Sequence, residues 1–136
     1  DTFCEDGGFA MSETDATTTV NSDWLCYPGN KEIGGNPLFH EWAHSMQHII
    51  FESTNDLYFY ERLPSLIDQA YRRNIAPRQM PAGEVWAIAV EGYMMDGGKR
   101  FKDSYHSREY IKKKHPEMYQ MITRYFPTTP SNYCRF

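Results

Sequence analysis

Three residues in one short segment have the types and spacing that could bind and use a metal ion. In "NPLFHEWAHSMQHII", residues 36–50, His40 and His44 are four positions apart and Glu41 follows the first of them. On an α-helix the two histidines project from one face, so both imidazoles can reach one ion at ~2.0–2.1 Å. Glu41 points about 100° away from His40 and lies beside the ion, where a carboxylate can take a proton from a metal-bound water. The spacing therefore predicts hydrolysis by an activated water.

The alternative interpretation is a helix that merely carries surface histidines. Trp42, Ala43 and Met46 make the segment apolar and indicate a buried helix, in which unpaired His and Glu side chains would be costly. We therefore favour a metal site, where an ion lowers the pKa of a bound water from roughly 15.7 to about 7. His48 continues the four-residue spacing but would lie too far along the helix axis, so we expect it behind the ligands or at the surface.

A catalytic zinc site needs a third protein ligand and an open position. A third His soon after the motif, preceded by Gly, is absent because residues 45–54 read "SMQHIIFEST". Glu84 and Glu91 are the carboxylates of the apolar segment "AGEVWAIAVEGYMM". They are on one face but about 10 Å apart along a helix, so only one can bind a given ion. The residues alone leave the choice open; Glu91 could instead orient His40 or His44 by a hydrogen bond, or reach solvent at the helix end.

These residues must be positioned by helices. Apolar residues recur at three- and four-residue steps from Pro37 to about Phe51, which predicts a buried helix with Pro37 as its first residue. "NDLYFYERLPSLIDQAYRRN" predicts a helical region interrupted at Pro64. The segment with the two glutamates predicts a third helix, stopped by "DGG" at 96–98. The tail predicts one or two amphipathic helices divided at Pro116.

The predicted fold class is α+β, mainly helical with a short N-terminal β element. Residues 1–35 are rich in glycine, and Thr17 to Val20 are β-formers, which favours loops and one or two short strands. A length of 136 residues suits one core, so we expect 1–136 to be a single domain.

The amino-acid composition limits the classes of partner that the chain is expected to bind. With 18 acidic and 14 basic residues the formal charge is −4, and no long basic run is present, so nucleic acid is not an expected partner. No stretch approaches the roughly 18–20 apolar residues that cross a bilayer, so no membrane partner is expected either.

Three cysteines, Cys4, Cys26 and Cys134, show no CxxC spacing and predict one disulfide with one thiol left over. A disulfide favours an oxidising compartment, and the odd cysteine could join a second chain. The chain starts at Asp1 without an initiator Met or a charged-then-apolar leader, so we expect either a processed mature chain or a fragment cut for expression. The expected localisation is secreted or extracellular.

The motif "HEWAH" is similar to that of the zincins, and a glutamate on a second helix is typical of the gluzincins. Within them the chain resembles the branch that includes the catalytic domain of anthrax toxin lethal factor and related secreted proteins. "GEVWAIAV" matches the ligand-helix pattern of that branch, and "KKKHPEMYQMITRYF" resembles its closing helix. The similar stretches cover residues 24–51 and 82–127.

This resemblance implies a small zincin-like metallopeptidase domain with one Zn²⁺ per chain, held by His40, His44 and Glu84, with Glu41 as general base. The chain departs from the branch where a Tyr is expected shortly before the ligand Glu, since it reads "NIAPRQMPAG" there. The residues that could instead stabilise the oxyanion are Tyr71, Tyr105 and His106.

The expected function is a secreted zinc metalloendopeptidase that hydrolyses peptide bonds of a peptide or protein substrate. The alternative is a catalytically weak or inactive zincin-fold protein that binds zinc as a structural, toxin or interaction component. The intact His40, Glu41 and His44 favour the enzyme. The short segment before them favours the alternative, because zincins bind substrate along a sheet edge that precedes the active-site helix.

Overall fold

The structure, a computed structural model, describes residues 8–10, 18–20, 37–95, 105 and 107–126. None of the described helices combines the length and the apolar content that crossing a bilayer requires. Within the described ranges the regular elements are, in chain order, β1 (Gly8–Ala10), β2 (Thr18–Val20), α1 (Pro37–Thr54), α2 (Leu57–Arg72), α3 (Ala82–Met95), α4 (Arg108–Lys114) and α5 (Pro116–Tyr125).

The predicted α+β class is wrong, because the described part of the chain is an all-helical fold. Its five helices run from seven to 18 residues and build the packed core between them. The two strands are three residues each and form one antiparallel pair beside α1, with Phe9 opposite Thr19. A pair of this length is too small to serve as a sheet layer on which helices could pack.

Helix α3 is the centre of the fold and contacts all four other described helices. Its sequence is apolar on nearly every side, as expected of a helix that is buried all round. Its packing against α1 is the most extensive between any two described elements. The fully buried side chains of α3 are Val85, Trp86, Ala87, Ala89, Val90 and Tyr93.

Helix α2 runs without a break from Leu57 to Arg72, so the predicted interruption at Pro64 is wrong. The side chain of Asp56 caps its start by accepting a hydrogen bond from the Phe59 amide at 3.1 Å. Pro64 lies on the exposed side, so it removes a backbone hydrogen bond without disturbing the buried stripe. That stripe consists of Phe59, Leu63, Leu66, Ile67 and Ala70.

The predicted division at Pro116 is confirmed: α4 ends at Lys114, and Pro116 is the first residue of α5. Arg108, at the start of α4, is buried, and its Nε donates to the Tyr93 carbonyl at 2.8 Å. The guanidinium also lies 4.4 Å from the centre of the Tyr93 ring. A cation near the last turn of α3 satisfies a carbonyl that would otherwise lack an intrahelical partner.

Several expectations fall on residues outside the described ranges. These are the disulfide and the odd thiol among Cys4, Cys26 and Cys134, the glycine stop at 96–98 and the loops of the N-terminal part.

Candidate metal centre

Helix α1 brings His40 and His44 onto one face, as their four-residue spacing requires. Their ring centres are 5.1 Å apart, and the ring planes are tilted by 74° to each other. The two side chains are 18% and 20% exposed, so each has one side in the core and one side open to ligand.

Helix α3 places the carboxylate of Glu84 across from both imidazoles. Oε2 of Glu84 lies 3.1 Å from His40 Nε2, and Oε1 lies 3.0 Å from His44 Nε2. One ligand atom from each of the three residues can be chosen so that all lie within 4.8 Å of one another. Among the described residues, no other group of three or more His, Cys, Asp or Glu meets this criterion.

The spacing of these atoms suits a zinc ion. Two ligands bonded at ~2.0–2.1 Å in a tetrahedral arrangement are roughly 3.3 Å apart. The separations of 3.0 and 3.1 Å are to different oxygens of Glu84. One ligand atom from each residue can be chosen so that all lie within 4.8 Å, which is close enough for side-chain shifts to bring them to zinc-bonding distances. Two imidazoles and one carboxylate are also a donor set that leaves the fourth position of zinc open for water or substrate. The residues present thus fit the metal that the motif implies.

A buried tryptophan hydrogen-bonds α3 to α1 near the candidate ligands. Trp86 Nε1 donates to the carbonyl of Ala43 at 3.0 Å, and both residues are fully buried. Trp86 lies two residues after Glu84, and Ala43 directly precedes His44. This bond therefore connects the turn of α3 that carries Glu84 to the turn of α1 that carries His44.

Gly83 of α3 lies beside the imidazole of His44. A Cβ built on Gly83 would lie 3.6 Å from His44 Cε1, which is ordinary van der Waals contact. A larger side chain at this position would occupy the space beside the imidazole. Sequence reasoning missed both this contact and the hydrogen bond of Trp86, because each depends on how the two helices are rotated against each other.

Glu91 lies behind the candidate ligands rather than among them. Its Oε2 is 3.2 Å from His40 Nδ1, and its side chain is only 8% exposed. A carboxylate on Nδ1 orients the ring so that Nε2 faces Glu84. The sequence left two roles for a Glu91 that does not bind the ion: contact with a histidine, or exposure to solvent at the helix end. In the structure Glu91 contacts His40 and is largely buried.

The surroundings of the two histidines shift their pKa values in opposite directions. Burial opposes the charged form of His40, but the hydrogen bond to Glu91 and the charges of Glu91, Glu84 and Glu41 outweigh it, so the pKa of His40 is raised. Burial and the neighbouring His40 lower the pKa of His44, although Glu84 partly offsets them. His40 therefore holds a proton more readily than His44, and a metal ion has to displace any proton on the ligating nitrogens to bind both imidazoles.

Glu41 is half-buried on α1, next to His40, and its negative charge is one of those acting on that imidazole. His48 is half-buried one turn beyond His44 and is not part of the three-residue group. The motif residues thus lie as the helical spacing predicts, with the two histidines facing Glu84.

The three candidates for stabilising the oxyanion differ in what they contact. The Tyr71 hydroxyl donates to the Met80 carbonyl at 2.5 Å. The hydroxyl of Tyr105, which is buried, contacts Nδ1 of His115. His106 lies outside the described residues. Both tyrosine hydroxyls are therefore engaged elsewhere in this structure.

Comparison with protein-family models, with curated proteins and with solved structures finds no match for the chain. The resemblance to the gluzincins stays a prediction from the motifs. The function is therefore inferred from the residues and geometry of the site itself.

Proposed function

We propose that the chain is a zinc-dependent metallopeptidase of the gluzincin type, with Zn²⁺ held by His40, His44 and Glu84. The observation that carries this proposal is the position of the Glu84 carboxylate, whose two oxygens face Nε2 of both histidines at 3.0 and 3.1 Å. A second observation supports it: Glu41 lies on the same helix next to His40, where a general base is needed.

In this proposal the chain's own residues hold the ion and move the proton. A zinc ion at this position would polarise the substrate carbonyl and lower the pKa of water. Glu41 accepts a proton from the attacking water and returns it to the leaving amine, which balances the hydrolysis of one peptide bond. Glu91 hydrogen-bonds to Nδ1 of His40 and so keeps Nε2 directed toward Glu84.

We further propose that the protein is secreted and acts on a peptide or protein substrate. Support comes from the cysteines Cys4, Cys26 and Cys134, which favour an oxidising compartment, and from the resemblance of the motifs to secreted gluzincins. The odd cysteine is the residue through which a second chain could be attached.

The ligand assignment is tested by zinc content, measured by mass spectrometry of the purified chain and its variants. Wild type and Glu61→Gln, which changes an exposed glutamate of α2, are expected to hold one zinc per chain. Glu84→Gln is expected to lose it, because only two imidazoles remain. Zinc retained at full occupancy in Glu84→Gln but lost in Glu91→Gln would refute the assignment.

The enzymatic part is tested by incubating the zinc-loaded chain with a mixed peptide library and identifying products by mass spectrometry. Wild type is expected to cleave. Glu41→Gln is expected to keep the zinc and lose at least roughly 100-fold in rate, the usual contribution of a general base. Equal rates for both chains would exclude Glu41 as the base.

A second candidate function is a zinc-binding protein without turnover. The observation that favours it is the strand pair beside α1, which is only three residues long and offers a short edge for an extended substrate. Stoichiometric zinc together with no cleavage of any peptide by wild type would support this candidate over the enzyme.

A further inference from the structure

The charged residues are distributed unevenly along the chain. Residues 1–71 contain twelve acidic and two basic residues, whereas residues 72–136 contain six acidic and twelve basic residues. The formal charge of −4 is therefore the sum of a first half at −10 and a second half at +6. Such an asymmetry indicates that part of the surface is suited to a partner of negative charge.

Among the described residues, exposed basic side chains are most concentrated in the last turn of α4. Three consecutive lysines lie there, which we call the lysine cluster: Lys112, Lys113 and Lys114. Ile111 and His115, which flank the cluster, are buried, so the three exposed lysines fan out over the outer face of the helix. None of the three forms an ion pair with a described carboxylate.

The helix itself balances only part of this positive charge. The macrodipole of a helix places roughly half a negative charge at its C-terminal end, which is less than the charge of one lysine. The remaining positive charges repel one another across the last turn of α4. A negatively charged partner would relieve that repulsion.

The arginines nearest to the lysine cluster differ from it, because each has a carboxylate of its own. Both terminal nitrogens of Arg73 donate to the Glu117 carboxylate at 2.9 Å. Arg72 forms an ion pair with Asp68 at 2.9 Å. In the described structure around the end of α2, the positive charge that is left for a partner is therefore that of the lysine cluster.

The lysine cluster is attached to a well-anchored junction between α2, α4 and α5. His115, directly after the cluster, is fully buried, and its Nε2 lies 3.2 Å from Oε1 of Gln69 on α2. The ion pair of Arg73 with Glu117 joins the same ends of α2 and α5. A backbone that is already held in this way loses little conformational entropy when a partner binds.

The same junction limits how far the lysine cluster lies from the candidate metal centre. His115 contacts Gln69 on one side of α2. Asp68, the residue before Gln69, lines a cleft together with Gly83, which directly precedes Glu84. A helix with its side chains is about 10–12 Å wide, so crossing α2 and the cleft puts the cluster on the order of 20 Å from Glu84. About six residues of an extended chain span that distance.

We propose that the lysine cluster binds an acidic segment of the protein substrate, about six or more residues away from the bond that is cleaved. This inference rests on the proposed peptidase function and adds a feature of the substrate to it. Polybasic segments that bind membrane surfaces usually have about 4–8 clustered cations, more than the cluster provides. The acidic first half of the chain would also repel a large polyanion, whereas a short acidic segment can contact the cluster alone.

The test compares two variants with the same change of charge. Lys113→Gln/Lys114→Gln removes two exposed cations of the cluster. The matched control is Arg62→Gln/Arg124→Gln, which removes two exposed cations that both lie over the Tyr58 ring near the start of α2, away from the junction. Circular dichroism and zinc content verify that both variants fold as wild type does.

Binding is measured by fluorescence anisotropy of a dye-labelled hexaglutamate peptide at low salt. An exposed ion pair contributes roughly 1.5- to 5-fold in affinity, so we expect the cluster variant to bind roughly 2- to 25-fold more weakly than wild type. The control variant is expected to bind as wild type does, and added salt is expected to weaken binding to both. Equal affinities of the two variants would overturn the inference. So would cluster-dependent binding of phosphatidylglycerol vesicles or an RNA oligonucleotide without binding of hexaglutamate.

Cleavage measurements separate failure of this inference from failure of the proposed function. The substrates share one cleavable sequence and carry a run of Glu or of Gln either about two or about eight residues from it, on either side. We expect the distant Glu run to lower KM for wild type and the control variant but not for the cluster variant, with kcat unchanged. Cleavage that Glu runs do not affect at any spacing overturns this inference alone. Cluster-dependent binding of hexaglutamate without cleavage of any peptide overturns the proposed function and supports a docking surface for an acidic segment.

Discussion

Protonation of one buried histidine is expected to destabilise the fold as the pH falls. His115 lies between α4 and α5 and is 0% exposed. Its Nε2 is 3.2 Å from Oε1 of Gln69 on α2, and its Nδ1 contacts the hydroxyl of Tyr105. A neutral ring protonated at Nε2 satisfies both partners, donating to the amide oxygen and accepting from the tyrosine. A second proton would remove the acceptor that Tyr105 uses.

The size of this loss of stability follows from the pKa of His115. Burial, helped by the nearby Arg73 charge and opposed by Glu117, lowers the pKa of His115 from 6.5 to about 4. Because the folded pKa lies below the unfolded one, the stabilisation is complete above pH 6.5 and is lost as the pH falls toward 4. At 1.36 kcal/mol per pKa unit, the loss amounts to about 3 kcal/mol.

The assay is urea unfolding of metal-free wild type and His115→Gln at several pH values between 8 and 4. The variant is expected to be less stable at pH 7.5, because it loses packing and a hydrogen bond. Its deficit relative to wild type should shrink by about 3 kcal/mol toward pH 4, while carboxylate titrations common to both chains cancel. A deficit that stays constant with pH, or a His115 ring that titrates near pH 6.5 by NMR, would refute this reasoning.

Three further outcomes are expected. Glu91→Gln should weaken zinc binding by roughly 10-fold or more in a competition titration with a chelator, because the carboxylate that orients His40 is lost; an affinity equal to that of Glu61→Gln would contradict this. Trp86→Phe should lower the free energy of unfolding by about 1–3 kcal/mol in urea, since it removes the donor to the Ala43 carbonyl; an unchanged midpoint would argue against that bond. Met118→Ala should cost about 2–5 kcal/mol in the same assay, because the side chain is 0% exposed and leaves a cavity; a loss below 1 kcal/mol would show that the site collapses.

The helices and the spacing within them could be predicted because they depend on local rules. The periodic apolar residues of α1 and α3 and the position of Pro116 are each read within a few residues of the chain. The same holds for His40 and His44, since one helical turn is enough to put both on one face.

Other features were decided by packing between distant segments. Pro64 predicted a break, yet α2 continues because the stripe around Leu63 stays buried on both sides of it. The β-formers Thr17 to Val20 predicted an α+β class, but the strand Thr18–Val20 pairs over three residues only, and the core is made by helices.

The sequence by itself determined that α1 presents two imidazoles to one side, and it predicted that the candidate carboxylates, Glu84 and Glu91, lie on α3. Only the tertiary structure shows which of the two glutamates faces both histidines, because the two share a face of α3 and differ mainly in their position along its axis. In the packed structure the hydrogen bond from Trp86 to Ala43 lies beside the turns that carry the candidate ligands, Glu84 faces both histidines, and Glu91 contacts Nδ1 of His40. This arrangement depends on contacts between residues some forty positions apart, which no local pattern of the chain encodes.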